Sequence, residues 1–411
     1  MPLFEMPKKS TKSNKSSSVN QPNIKLKKGQ TIDDLVLTAK QLVEEKLKDY
    51  KDASKCITNK EDLINFFNNS EDIIGIDTET TGLNFLTDQL VGISLCNGKE
   101  AVYIPINHKS SLYNIRLLNQ IAINDIKEIF GNIFKTKNYK WIYHNAKFVL
   151  ENGIGWREDM TQEEVDTMLA ANLFDQDEEH NLKYLYNKYI AVEDEGVNRF
   201  DTLFKGVTFD YVPLDIATIY AGKDALMTYK LFQYQYKRMN EPDMQGIKYV
   251  FENIEMPLLP ILEDMQRTGV HINNKMLKEL YEKYSIRLEE AKKKVYDEIK
   301  PYENQIQEYR IKHYNKKLDD PILISSPAQL SILFYDILKY KTKAGKGTGV
   351  NELKEINTPL TLALLEYRKM EKLIDAFLVA LPKRIEPSTG KIHTSLNQYG
   401  AATGKENCLT I

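Results

Sequence analysis

Gly75-Ile76-Asp77-Thr78-Glu79-Thr80-Thr81-Gly82-Leu83, together with the Ile73-Ile74 before it, decides how this chain folds. The apolar, β-branched run into Asp77 has the composition of a buried strand. Side chains alternate across a strand, so Asp77 and Glu79 leave the same face two residues apart. Two clustered carboxylates on a rigid element offer the hard oxygen ligands that suit Mg²⁺ or Mn²⁺. An Asp-x-Glu triplet alone is weak evidence, because Asp177 and Glu179 repeat it within an acidic run that reads as a solvated loop. The segment 90–106 strengthens it. It reads as two further strands joined at Asn97-Gly98, the dipeptide favoured in tight hairpins, so the carboxylates sit on the first strand of a sheet.

The rest of the constellation lies downstream. Residues 141–143 form a short apolar strand ending in His144-Asn145, with a helix predicted to begin directly after. Residues 219–231 read as a helix carrying Tyr220 and Asp224, and residues four apart share one helix face. A hydroxyl and a carboxylate therefore enter one cleft a turn apart. Each alone would pass as a core aromatic and a surface acid; their order after the first motif gives them weight.

Asp-x-Glu-Thr-Thr-Gly-Leu (77–83), His-Asn-x-Lys-Phe (144–148) and Tyr-x-x-x-Asp (220–224) resemble the 3′–5′ exonuclease domain of bacterial and phage DNA polymerases of family A. The resemblance continues through 165–185 and into polymerase-like text at 254–273, 325–338, 364–373 and 390–404, covering about residues 70–404. It implies an α/β, ribonuclease H-like (DnaQ-type) domain with a mixed sheet and flanking helices, followed by a mainly helical thumb and an incomplete palm. It further implies two-metal hydrolysis of DNA 3′-terminal phosphodiesters, the proofreading step of replication. Asp77 would bridge both metals, Glu79 and Asp224 would complete the site of the water-activating metal, and Tyr220 would orient the water. Thr78, Leu83, Asn145 and Phe148 are the positions the resemblance places near the bound strand, Phe148 serving equally well as packing.

One departure matters. The family pattern continues with Asp directly after the aromatic residue of the second motif, and that Asp ligates the second metal; this chain has Val149. A point substitution and a short deletion explain the text equally, since 149–154 resembles what the family shows a few residues later. Glu151 is the nearest acid but falls two positions further round the helix. Losing one preorganised electrostatic group typically costs on the order of 10²- to 10³-fold in rate. The expectation is a weak or silent nuclease whose second metal binds poorly.

The 411 residues suit two to three domains, and the net charge of −2 gives no bulk attraction to nucleic acid, so DNA must be held by local patches. Segments 1–30 (a disordered basic tail with seven lysines against one acid), 31–70 (an N-terminal helix capped by Thr31), 71–240 (exonuclease), 241–390 (thumb-like helices) and 391–411 (the truncated start of a palm) form the expected organisation. Within the long helix after 274, Leu277, Leu280, Tyr284 and Ile286 are the predicted apolar side. Lys343 and Lys346 lie in a basic, glycine-containing loop (339–349), predicted to be mobile and to touch backbone phosphates. Three cysteines without paired spacing, no apolar run near membrane length and no signal-like start fit a soluble protein of the bacterial cytoplasm, a phage-infected cell included, with no membrane partner. His144 and His393 read as structural.

Family-like text stops after Lys405, before the palm aspartates and the basic fingers helix. Polymerisation by this chain alone is not expected, and 391–411 is expected to be disordered or poorly packed without a palm. The leading reading is an impaired 3′–5′ exonuclease with a partial grip on single-stranded and primer-template DNA. A second reading is a non-catalytic DNA-binding half that completes a polymerase with a separate palm and fingers chain. A free-standing exonuclease is disfavoured by the thumb-like region.

Overall fold

Strands β1 (Ser54–Cys56), β2 (Ile73–Thr80), β3 (Leu90–Cys96), β4 (Ala101–Pro105), β5 (Lys140–Tyr143) and β6 (Glu164–Asp166) form one mixed sheet in the order β1-β4-β3-β2-β5-β6. The structure, a computed structural model, describes residues 31–46, 54–110, 116–152, 163–191, 207–314, 320–343, 345–399 and 407–410. The predicted tail at 1–30 lies outside them. β2, β3 and β4 form an antiparallel meander, while β1, β5 and β6 join in parallel. β2 is therefore central, paired with β3 on one side and β5 on the other. The hairpin falls where predicted: Gly98 takes a positive φ of 83°, and Asn97 Oδ1 accepts from the backbone N–H groups of Lys99 and Glu100, both at 3.0 Å.

One face of the sheet packs on α2 (Lys60–Asn68) and α3 (Ile123–Thr136). Ile126, Ile129, Phe130, Ile133 and Phe134 recur at the three- and four-residue intervals that put them on one stripe. That stripe meets the fully buried Trp141, whose ring lies 5.2 Å from Phe134 and 6.1 Å from Phe130. Truncating such an aromatic to alanine costs about 3–5 kcal/mol. The opposite face takes the long helix of 214–239, described with the site below.

α1 (Ile32–Lys46) starts where its sequence says it should. Thr31 Oγ1 accepts from Asp34 N–H at 3.1 Å, and Asp34 returns the bond to Thr31 N–H at 2.8 Å. The helix packs on the sheet domain through the buried Ala39, clustered with Val212 and Ile216.

The chain divides into two compact units, residues 1–267 with 395–411, and residues 268–394. In the first unit, α4 (Ala146–Asn152), α5 (Thr167–Phe174), α6 (Leu182–Tyr189) and α7 (Leu214–Met239) complete the sheet domain. After them come α8 (Gln245–Val250), a π-helical turn at Phe251–Glu255 and α9 (Met256–Thr268). Residues 395–399 return to this unit and are well anchored, contrary to the disorder predicted from 391 onward. Gln266 Oε1 accepts from Leu396 N–H at 2.6 Å, and Gln398 Nε2 donates to Glu255 O at 2.9 Å and Oε2 at 2.7 Å. The second of these side-chain bonds joins Gln398 to the Glu255 carboxylate. Tyr399 packs on the main apolar core, and strand β7 (Thr394–Asn397) pairs with β8 (Asn407–Thr410). Gln266 of α9 and Glu255 of the π-helical turn supply the partners for which a palm sheet was expected.

The second unit is mainly helical, with α10 (Asn274–Ile299), α11 (Glu303–Tyr314), α12 (Pro327–Ser331), α13 (Val350–Ile356) and α14 (Pro359–Leu373) around their own core. Ile286 corrects the predicted stripe: it is 64% exposed, because it stands two residues, over half a turn, past the half-buried Tyr284. The buried line continues instead through Leu288, Ala291, Val295 and Ile299. The basic loop is also tethered rather than free. Ser331 Oγ donates to Lys346 O at 3.1 Å, Tyr335 Oη to Gly347 O, and Arg368 to Thr348 O. Among the described residues no helix is long and apolar enough to cross a membrane.

Candidate metal centre

Strand alternation places Asp77 opposite Ser94 and Glu79 opposite Gly92 on β3, on one face of β2. Pairing shifts register between Glu79 and Thr80, so the ladder loosens as it leaves the acids. Two glycines clear this face. At Gly92 a Cβ would fall 2.1 Å from Tyr103 Oη, so only glycine leaves room for that phenol beside Glu79. At Gly75 a Cβ would fall 2.9 Å from the carbonyl oxygen of Ala225. Helix α7 therefore closes directly on β2, and Asp224, the residue before Ala225, arrives beside Asp77.

The result is a carboxylate triad. Asp77, Glu79 and Asp224 each offer an oxygen, and all three oxygens lie within 4.8 Å of one another. Cation–oxygen bonds of about 2.0–2.6 Å bring cis ligands within that spacing, so the donor set and its size fit a divalent ion. Electrostatics point the same way. Burial, followed by the neighbouring charge of Asp224, pushes Asp77 up to about 7, while the Thr78 N–H and the Lys183 ammonium pull against the shift. Like charges this close disfavour one another's ionised form, an effect that a bound cation would reverse.

Tyr220 lies one turn before Asp224 on α7, half-buried. Its hydroxyl accepts a hydrogen bond from Lys183 Nζ at 3.2 Å, and that ammonium stands 4.8 Å from the ring centroid. Lys183 is absent from the set predicted from sequence. Its only sequence signal is its place in the His-Asn-Leu-Lys run at 180–183.

The second motif sits at the β5–α4 junction. Asn145 turns the chain with a positive φ of 67°, a conformation Asn tolerates better than most residues. Its N–H donates to Asp166 Oδ1 at 3.1 Å, and Ala146 N–H donates to Oδ2 at 2.7 Å. Asp166 also caps α5, accepting from Met168 and Leu169 at 2.8 and 3.4 Å. One buried carboxylate thus starts two helices, although burial still raises its pKa against those four N–H groups. His144 bridges Thr167 Oγ1 at 2.8 Å and His180 O at 2.9 Å, the structural role predicted for it. Burial lowers its pKa to about 4.

Helix α4 is held at both ends. Arg267, paired at 2.6 Å with the buried Glu263, donates to Leu150 O at 2.9 Å. Lys147 Nζ reaches Leu396 O and, at 3.3 Å, Asn397 Oδ1. Val149 is fully buried in the apolar core with Ala146 and Leu150. Among the described residues no fourth carboxylate joins the triad, and the Glu151 side chain lies outside them.

The remaining predicted positions are dispersed. Thr78 is buried and points to the face opposite the acids, as alternation requires. Leu83 is 79% exposed in the loop after β2, and Phe148 is half-buried. In the second unit Lys346 is committed to Asp336 at 2.6 Å, whereas the Lys343 backbone N–H donates to Glu355 Oε1 at 2.9 Å.

Comparison with known proteins bears on these motifs. Residues 53–240 match the family profile described as 3′-5′ exonuclease, and residues 254–408 that of DNA polymerase family A. The second match runs to 408, past Lys405, where family-like text was expected to stop. The chain is 28% identical over 345 residues to DNA polymerase I of Chloroflexus aurantiacus, covering 80% of this chain and 33% of that one. It is 28% identical over 360 residues to DNA polymerase I of Pseudomonas aeruginosa, covering 81% and 35%. This chain thus spans about a third of the length of such curated relatives. A solved structure described as the POL domain of Pol1 from M. smegmatis, in complex with DNA primer-template and dNTP, superposes with a TM-score of 0.58. It has 18% identity and covers 86% of this chain and 54% of that one, a likeness of fold.

Proposed function

The chain belongs to DNA polymerase family A, with the family's 3′–5′ exonuclease domain and part of its polymerase domain, and from that membership we propose that its sheet domain trims DNA 3′ ends. The observation that carries the reading is the convergence of Asp77, Glu79 and Asp224 within 4.8 Å, with Tyr220 one turn away on the helix that supplies Asp224. When bound there, a divalent cation supplies Lewis-acid activation of water and neutralises charge at the scissile phosphate.

The side chains do the rest. Asp77, on the central strand, gives the most rigid ligand, and Glu79 at the loosened end of the ladder can adjust to the substrate. Tyr220 places its hydroxyl at the reacting oxygens. Leu83 and Phe148 present apolar surface to the terminal bases, and the Asn145 turn lines the strand's path. The polymerase-like helices, with Lys343, give a sequence-independent grip on backbone phosphates.

We further propose that the nuclease is impaired. With Val149 packed among core residues, a second cation lacks the carboxylate the family places there, and its retention is weak. The same residue favours the second reading, a domain that binds DNA without cutting it. Degradation of 5′-labelled single-stranded DNA in Mg²⁺ and in Mn²⁺, with Asp77→Ala as control, separates them. Asp77-dependent shortening from the 3′ end supports the nuclease, stronger in Mn²⁺ if the second cation is limiting. DNA binding with no shortening in either metal supports the second reading.

A further inference from the structure

Lys183 stands against the preference of its own helix. It occupies the first turn of α6, where the positive end of the helix dipole disfavours a cation. The helix start is already capped by Asn181, whose Oδ1 accepts from Tyr184 N–H at 2.8 Å. Lys188, in the last turn of the same helix, is the favourably placed lysine and pairs with Glu178. Lys183 instead crosses to α7, where it meets Tyr220 both at the hydroxyl, 3.2 Å away, and over the ring, 4.8 Å from its centroid. Tyr220 lies one turn before Asp224 on that helix, so the ammonium stands on the face that carries the third carboxylate of the triad. A residue that violates a local rule while serving a site is the pattern expected of function rather than stability.

We propose that Lys183 is a positioning residue of the exonuclease centre, holding Tyr220 as a hydrogen-bond donor toward the reacting oxygens and standing as a fixed cation beside the carboxylate triad. An ammonium can only donate, so the bond occupies a lone pair of the phenol and leaves its single hydrogen to be given away. Tyr220 then faces the substrate in one polarity. The fixed charge has particular value in a centre whose second cation lacks a ligand at Val149, because a preorganised ammonium needs none. This inference rests on the exonuclease reading of the same site.

The test uses the full chain and four variants: Lys183→Met, which keeps the aliphatic stem over Tyr220 but removes the charge, Lys183→Arg, Tyr220→Phe, and Lys183→Met with Tyr220→Phe. Mn²⁺ binding without DNA, read from the electron paramagnetic resonance signal of free Mn²⁺, should tighten about fivefold in Lys183→Met, because a repelling charge has left the triad. Single-turnover shortening of a 5′-labelled oligonucleotide should fall by about 10- to 100-fold in Lys183→Met and recover in Lys183→Arg. In the Tyr220→Phe background the same change should cost several-fold less than in the parent, because the share exerted through the hydroxyl is already gone and only that of the fixed charge remains. Unchanged or weaker Mn²⁺ binding in Lys183→Met overturns the proposal, as do fully independent losses from the two residues. If the unaltered protein shows no Asp77-dependent shortening, the exonuclease reading fails, and the Mn²⁺ measurement still decides whether Lys183 charges the triad.

Discussion

Gly75 of β2 lies against Ala225 of α7 so closely that a methyl group on it would sit 2.9 Å from the Ala225 carbonyl oxygen and 3.2 Å from Tyr229 Cβ. A backbone carbonyl cannot swing aside as a side-chain tip can, so Gly75→Ala must push the helix off the strand. Asp224 precedes Ala225 directly, and the triad opens with it. We expect a stability loss of about 1–3 kcal/mol, typical of overpacking. Mn²⁺ affinity should fall by about tenfold or more, since each 1.4 kcal/mol of lost ligand geometry is a factor of ten. Titration of Mn²⁺ into the folded variant reads this directly, and unchanged affinity would separate the helix approach from the metal centre.

Val149 distinguishes substitution from deletion. Because it is fully buried among apolar neighbours, Val149→Asp should destabilise by about 3–5 kcal/mol, the cost of an uncompensated buried charge, and should restore no second cation. Inserting Asp and two further residues after Phe148 is a different change. Three residues turn a helix by about 300°, so Val149 and Leu150 keep nearly their present faces while an acid is added. If a deletion removed the ligand, the insertion variant should bind a second Mn²⁺ and trim DNA about 10²-fold faster. A Val149→Asp protein that melts like the parent and gains activity would instead identify a point substitution.

What could be read from the sequence was whatever local periodicity dictates. Alternation put Asp77 and Glu79 on one face, a four-residue interval put Tyr220 beside Asp224, and Thr31 with Asp34 announced a helix start. The three carboxylates meet because those rules hold on elements that happen to pack together, which the family motif supplied. Other features were not local. Lys183 reaches Tyr220 across 37 positions, and no periodicity couples two helices at that range. Ile286 is exposed although large and apolar, because the buried line of its helix runs through the small Ala291, whose residue type carries no burial signal. Residues 395–399 were expected to need a palm, but Gln266 and Glu255 already offer them polar partners.

His108 gives the domain an acid-sensitive point. It is fully buried, with Nε2 facing the Tyr103 hydroxyl at 2.7 Å and Nδ1 facing Val212 O at 3.1 Å. A carbonyl can only accept, so the proton rests on Nδ1 and the neutral ring accepts from Tyr103. Burial lowers its pKa from 6.5 to about 4. Its stabilising contribution is therefore complete above the unfolded value and is lost as pH falls from 6.5 toward 4, by up to about 3 kcal/mol. His108→Gln should weaken the protein at pH 7 yet flatten its decline over that interval. Urea melts at pH 7, 5.5 and 4.5 measure both slopes, and parallel slopes would assign the acid sensitivity elsewhere.

The return of residues 395–399 to the first unit makes the sheet domain depend on chain from beyond the second unit. Tyr399 packs on the main core and stands 6.3 Å from the His180 ring. Lys147, on the second-motif helix, is tied to Leu396 and Asn397, and Gln266 holds Leu396 N–H. Lys147 lies two residues after the Asn145 turn, so loosening this strap loosens the wall of the site as well as the fold. Tyr399→Ala should cost about 1–3 kcal/mol of stability, less than a fully buried aromatic because the ring is only half-buried. Asn397→Ala removes a buried amide beside Lys147 and should alter DNA trimming more than melting temperature. Hydrogen exchange at Ala146–Leu150 is the discriminating measurement: faster exchange in both variants is expected, and protection equal to the parent would mean that the strap merely rests on the domain without supporting its second motif.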